Sequence, residues 1–380
     1  MSSAFDEASL HLHRENKGKL GVFAKVSVKN RQDLSVAYTP GVAAVSMAIA
    51  QDPSLMYELS PKANTVAIVS DGSAVLGLGN IGSAGAYPVM EGKALLFKEF
   101  GGIDAYPIVV KTQEVDEIVE LVCNISDGFG GINLEDIAAP RCFEVEEKLK
   151  ARLKIPVFHD DQHGTAIVVL AGLINALKVV GKDLSARVVV NGAGAAGLSV
   201  TKLLLAYGFK NVVIVDSKGA VVKGREDMNS VKIALAERSN PEGLQGDLAS
   251  VIKGADVFIG VSKAGLVSGD MVRSMAPQSI VFAMANPVPE ITEAEAREAG
   301  AAVTATGRSD CMNQLNNVLV FPGLFRGALD ARIEQFEETM FLKAAQALAD
   351  FVPSPSVDHF IPSPFEEGVA QVIAEAVKSE

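Results

Sequence analysis

Cysteine is scarce in this 380-residue chain: Cys123, Cys142 and Cys311 are the only three, and no CxxC pair occurs. An odd number without paired spacing builds no closed disulfide framework, so reduced thiols in a cytoplasmic setting are the expectation. Basic charge is short as well. The 34 Lys and Arg are outnumbered by 46 Asp and Glu, giving a net charge of -12 and a pI near 5.0. That argues against nonspecific nucleic-acid binding, which needs a basic face. It leaves room for an anionic small substrate, because a cleft can carry a field unlike the global one. No apolar segment follows the early Asp6, Glu7, His11, His13 and Arg14, so no signal peptide is expected. The most apolar long run, 166–180, contains Asn175 and Lys178. It is too short and too polar to cross a bilayer, reads as a buried helix, and predicts no membrane association. Internal repeats and low-complexity tracts are also missing.

What is present is a globular composition, 48% hydrophobic and 21% charged. The length suits two domains. In the first half, residues 64–70, 105–110 and 131–134 are short apolar runs that read as strands, and 155–158 leads strand-like into a polar cluster. Helical patterns fall at 43–51, 87–100, 114–126 and 141–153. The second half alternates more regularly. Strand patterns at 187–191, 211–215, 256–260, 280–285 and 302–305 are separated by helical ones, and a helical tail broken by prolines follows Asp330. Such alternation predicts βαβ units and a parallel sheet.

The pattern GxGxxG occurs at 77–82 and at 192–197. The second copy follows directly on a strand and opens a helix, and the next strand ends at Asp216, 19 residues beyond Gly197 (197 to 216). That is the context of a dinucleotide site. Gly192, Gly194, Ala195 and Gly197 would make the tight turn and give the pyrophosphate its close approach, with phosphate oxygens at the helix N-terminus. Asp216 favours a free ribose diol and hence NAD; Ser217, Lys218, Lys223 and Arg225 favour a 2'-phosphate and hence NADP. The first copy lies seven residues past its strand, too far for the same role. It either lines a cleft or packs as a loop.

The densest polar stretch is His159-Asp160-Asp161-Gln162-His163, at the end of the 155–158 strand pattern. Glu135-Asp136 follows another strand in the same way. Four carboxylates at strand ends would repel one another, and a hard divalent cation, Mg²⁺ or Mn²⁺, resolves the conflict through oxygen ligands. A zinc reading of the histidines lacks the HExxH pattern, and hydrogen bonding within the turn accounts for both. A solvated turn capped by Thr165 is the plainer alternative for the stretch. Lys93, in an otherwise apolar helix, is either a partly buried base with a lowered pKa or a snorkelling surface lysine. Asn286, after a strand, and Asn316-Asn317 could bind a carboxylate or ribose, or close turns.

Together these blocks resemble the malic enzymes, especially the short bacterial form. The blocks are 36–42, 77–82, 91–93, 133–136, 158–165, the turn 192–197, Asn286-Pro287, Asn316-Asn317 and Phe321-Pro322-Gly323. The resemblance implies an α/β fold with an N-terminal catalytic domain, 1–160, and a Rossmann-type NAD(P)-binding domain with a parallel sheet and helical tail, 161–380. It implies oxidative decarboxylation of L-malate to pyruvate and CO₂ in a cytoplasmic homodimer. Tyr38 matches the family's general acid and Lys93 its general base, with Asp160 beside the lysine. Glu135, Asp136 and Asp161 match the metal ligands. Asn286 and Asn317 match asparagines at substrate and nicotinamide. One departure is Ala74 where larger members carry a carboxylate-clamping arginine, which turns attention to Ser73, backbone N–H groups, the metal and the asparagines. The competing readings are a metal-dependent 2-keto-acid decarboxylase and a nucleotide-sensing module without chemistry.

Overall fold

The computed structural model describes residues 4–75, 77–308 and 311–378. Its first sheet has four parallel strands in the order β2-β1-β3-β4. They are β1 (Thr65–Ser70), β2 (Asp104–Val109), β3 (Gly131–Leu134) and β4 (Val157–His159). Every residue of β1, β3 and β4 is buried, as fits strands covered on both faces.

The second sheet has six strands in the order β10-β9-β8-β5-β6-β7. These are β5 (Val188–Asn191), β6 (Val212–Asp216), β7 (Gly219–Ala220), β8 (Val257–Gly260), β9 (Ile280–Ala283) and β10 (Val303–Thr306). All pairings are parallel except β6 with the two-residue β7. The strand order reverses at β5, and open sheets bind ligands in the crevice at such a switch point. This is the Rossmann-type arrangement.

The helix Thr165–Val180 ties the two sheets together. Twelve of its residues, 166–177, are buried, and they join one apolar cluster with Val66 and Ile68 of β1 and with Val188, Val190 and Ile259 of the second sheet. Its Asn175 is tolerated because Nδ2 donates to the carbonyls of Ala349 (2.7 Å) and Phe360 (3.0 Å). The C-terminal helices return to the first sheet's side. The rings of Phe321 and Phe325, on helix Phe321–Ala331, lie 4.7 and 5.3 Å from that of Phe97.

The N-terminal segment differs from everything that follows. Helices Arg31–Ala37 and Val42–Gln51 bury no residue. Val22, Phe23 and Val36 are 95%, 66% and 71% exposed. Large apolar side chains left in water in one run are unusual on the surface of a monomer.

Candidate active site

The carboxyl ends of β1, β3 and β4 point the same way, so Asp71, Glu135-Asp136 and Asp160-Asp161 emerge along one edge. Beyond them lies a cleft of about 620 Å³. Its walls include Ala74 and Gly77 from the first half, Asp161 at the join, and Gly194, Ala195, Asn286 and Asn317 from the second.

The two aspartates of the polar stretch face different partners. After β4 the chain makes a single π-type turn, Asp160–Gly164, before the long helix begins. Thr165 is the first residue of that helix and makes no capping hydrogen bond, so the capped-turn reading does not hold. Asp160 is fully buried; its Oδ2 accepts from Lys93 Nζ and Asn317 Nδ2. Asp161 turns toward β3, where its Oδ2 accepts from the backbone N–H of Asp136 at 2.8 Å. A side chain at Gly164 would overlap Asp160 Oδ1, so glycine is required where the turn doubles back.

Lys93 is buried, not snorkelling. It is 7% exposed, and besides Asp160 it donates to Glu135 Oε1 at 2.8 Å, with its Nζ 4.3 Å above the Phe321 ring. Its pKa is raised, not lowered. Burial pushes the ammonium down, but Asp160 and Glu135 together outweigh it and hold Lys93 above its ordinary value. The clue was in the sequence: Ala86, Met90, Ala94 and Phe97 form the buried stripe of helix Gly82–Gly101, and position 93 lies on it.

Ligand oxygens of Glu135, Asp136 and Asp161 lie within 4.8 Å of one another. Asp136 is 3% exposed and its Oδ2 has no hydrogen-bond partner among the described residues. Burial, then repulsion from Asp161 and Glu135, pushes its carboxyl up to about 9. Glu135 goes up to about 7, again by burial first, although Lys93 and Asn133 (2.9 Å to Oε2) pull the other way. Three crowded oxygen donors, one of them orphaned, fit a hard divalent cation, which would relieve repulsion and burial together. Asn133, which orients Glu135 from inside β3, was not foreseen.

The histidines are structural, though not through the turn itself. His163 Nε2 meets Glu146 of helix Arg141–Arg152 at 2.8 Å and its ring stacks on Phe341. His159 is fully buried and has no hydrogen-bond partner among the described residues.

The glycine turn 192–197 sits at the switch point as its spacing predicts. Gly192 has φ +123, and a Cβ there would meet the Val261 carbonyl oxygen at 2.7 Å. A Cβ on Gly197 would overlap the Gly192 carbonyl, so helix Ala195–Tyr207 packs too closely for any side chain there. Asp216 ends β6 and is paired with Arg225 and Lys232. Lys223 is paired elsewhere, with Glu237.

The first glycine copy does line the cleft. Gly77 has φ +74, and a Cβ on it would lie 2.6 Å from Pro287 Cδ and 2.7 Å from the Asn286 carbonyl oxygen. Ser73 Oγ accepts from the Ala138 N–H at 2.9 Å, and the Ala74 N–H donates to the Asp136 carbonyl at 2.9 Å. The Ala74 N–H is thereby used, while the Ser73 hydroxyl keeps its own proton to donate. Tyr38 lies apart from the cleft, at the end of helix Arg31–Ala37, and is 66% exposed.

Glu290 had no signal in the sequence. It is fully buried, and its two oxygens accept from the N–H groups of Ser262 (2.9 Å) and Ala285 (3.0 Å). One carboxylate thus pins both loops that form the far wall of the cleft.

Two family models match the chain: malic enzyme, N-terminal domain, over residues 17–150, and malic enzyme, NAD binding domain, over residues 162–378. The chain is 56% identical over 375 residues to the bifunctional malic/malolactic enzyme of Bacillus subtilis, covering 98% of this chain and 92% of that one. It is 44% identical over 398 residues to the NADP-dependent malic enzyme of Halomonas elongata, covering 99% and 93%. The crystal structure of the NAD-dependent malic enzyme of Thermotoga maritima superposes with a TM-score of 0.95 at 48% identity, covering 98% and 99%. With both halves of its cleft matched over nearly their whole length, the chain belongs to the malic enzyme family.

Proposed function

We propose that this chain catalyses the oxidative decarboxylation of L-malate to pyruvate and CO₂, reducing NAD or NADP and requiring Mg²⁺ or Mn²⁺. One observation carries the reading: a buried lysine, held by Asp160 and Glu135, stands beside three crowded carboxylates at the mouth of a dinucleotide-type cleft. Glu135, Asp136 and Asp161 would hold the cation, which when bound supplies Lewis acidity toward the hydroxyl carbon's oxygen and the developing enolate. Gly192, Gly194, Ala195, Gly197 and Asp216 would seat the dinucleotide, which accepts hydride from malate C2.

Lys93 accepts the proton of the C2 hydroxyl in this reading, and Asp160, itself fixed by Asn317, keeps the amine in place. The ammonium is the stable form while Glu135 keeps its full charge for the lysine, so the base form belongs to the loaded site. Asn286 and Asn317 face the cleft and would hold malate and the nicotinamide ribose. Ser73 acts at one remove, by fixing Ala138. We place the division between the halves at Asp160–Asp161.

Tyr38, the proposed acid for C3, is supplied by a partner subunit. It sits in the exposed apolar segment, away from its own chain's cleft, and a second copy packed on that segment both covers it and delivers the phenol. We therefore propose a homodimer, working in the cytoplasm.

Reduced nicotinamide formed from L-malate and Mn²⁺, with pyruvate in equal amount, tests the reaction. Loss of oxaloacetate without any malate-driven cofactor reduction would favour the decarboxylase alternative. No turnover at all, with nucleotide still bound, would favour a sensor.

A further inference from the structure

Asp216 stands where a Rossmann-type site keeps the acid for the adenosine ribose diol. In this chain that acid is already saturated. Its Oδ1 accepts from the Lys218 N–H at 3.0 Å and from Arg225 Nη1 at 2.9 Å. Its Oδ2 accepts from Lys232 Nζ at 2.7 Å and from Arg225 Nη2. A carboxylate offers about four acceptor sites, and all are in use. The three side chains are enclosed as well, with 12%, 15% and 17% exposed for Asp216, Arg225 and Lys232. A ribose diol would have to displace a charge-assisted hydrogen bond to reach the acid, and two neutral hydroxyls do not repay that loss.

The surplus charge has the opposite sign from that of a lone aspartate. Arg225, Lys232 and Lys218 contribute three positive charges, and Asp216 and Asp227 two negative, leaving one positive (3 − 2 = +1). Lys218 lies 2.8 Å and Arg225 Nε 2.9 Å from Asp227, so both acids are neutralised within the group. The Lys232 ammonium has three N–H groups and, among the described residues, donates one hydrogen bond, to Asp216. Ser217, next to Asp216 in sequence, is exposed.

We propose that this cluster is a 2'-phosphate subsite and that the chain therefore takes NADP in preference to NAD. Lys232 contacts the phosphate, Arg225 adds its remaining N–H and the bulk of the field, and Asp216 is a positioning residue that fixes both cations. The inference rests on the dinucleotide reading of the 192–197 turn, and it replaces Lys223 with Lys232 as the relevant lysine.

The test is direct binding, independent of turnover. Calorimetry on the intact protein compares adenosine 2',5'-bisphosphate with 5'-AMP. The bisphosphate should bind at least about tenfold more tightly, and Lys232→Gln should remove roughly that factor while leaving 5'-AMP unchanged. The kcat/KM with NADP should exceed that with NAD by a similar factor in wild type and fall toward it in Lys232→Gln. Equal or tighter binding of 5'-AMP, or an unaltered ratio in Lys232→Gln, overturns the 2'-phosphate assignment and leaves the dinucleotide site standing. Failure of both nucleotides to bind overturns the dinucleotide reading itself, and the specificity assignment with it.

Discussion

Lys93 and Asp136 are the two residues whose surroundings are hardest to maintain, and both give sharp tests. Lys93→Ala leaves Asp160 and Glu135 buried without their cation. Turnover should fall by about 10²–10⁴, the range of a lost general base, while calorimetry still finds nucleotide binding. Near-normal turnover would remove Lys93 from the chemistry. Asp136→Asn takes away the carboxyl that burial, and then its acidic neighbours, push up to about 9. The variant should bind Mn²⁺ far more weakly and yet melt at the same or a higher temperature than wild type when both are metal-free at neutral pH, because the fold then holds this carboxyl protonated at a cost that a neutral amide does not carry. A metal-free variant that melts well below wild type would show that Asp136 stabilises the fold without a cation. At this scale the sequence was informative about residue types at strand ends and poor about orientation. Asp160 and Asp161 are adjacent in sequence, yet a π-type turn sends them to different partners, and no periodicity announces such a turn.

Among the elements, strands and their glycine turns were readable because each is short, apolar and punctuated. β1, β3, β5 and β6 fall within a residue or so of the runs that predict them. The two-residue β7 was not readable, since antiparallel pairing at a sheet edge leaves no apolar signature. Nor was the role of Glu290, because its partners are backbone N–H groups, one of them on a loop 28 residues away, and backbone donors leave no mark in the residue pattern. Glu290→Ala should release both loops. The expected result is a rise in KM for the dinucleotide of about tenfold or more with little change in Mn²⁺ affinity, since a buried carboxylate accepting two backbone N–H groups is worth several kcal/mol when removed. Equal losses in both affinities would mean that the whole fold, not the loops, depends on Glu290.

For the whole molecule, the proposed homodimer, with Tyr38 delivered from the partner subunit, would make catalysis a property of two chains. Tyr38→Phe and Lys93→Ala homodimers should each be nearly inactive. Mixed and allowed to exchange subunits, they should regain substantial activity, because one site of each heterodimer then has both residues intact; no recovery after proven exchange would place Tyr38 and Lys93 of one chain in the same site. The position of the segment was legible in sequence only as helices and a Tyr-Thr-Pro-Gly break; nothing in a single chain's pattern distinguishes a core helix from one whose core lies in another copy. Gly77 bears on the same question of assembly from within one chain. Its α-carbon rests against Asn286 and Pro287 so closely that a single methyl group does not fit. The contact sets how closely the two walls of the cleft approach each other at this point. The working gap of the enzyme is therefore gauged by the absence of one carbon atom.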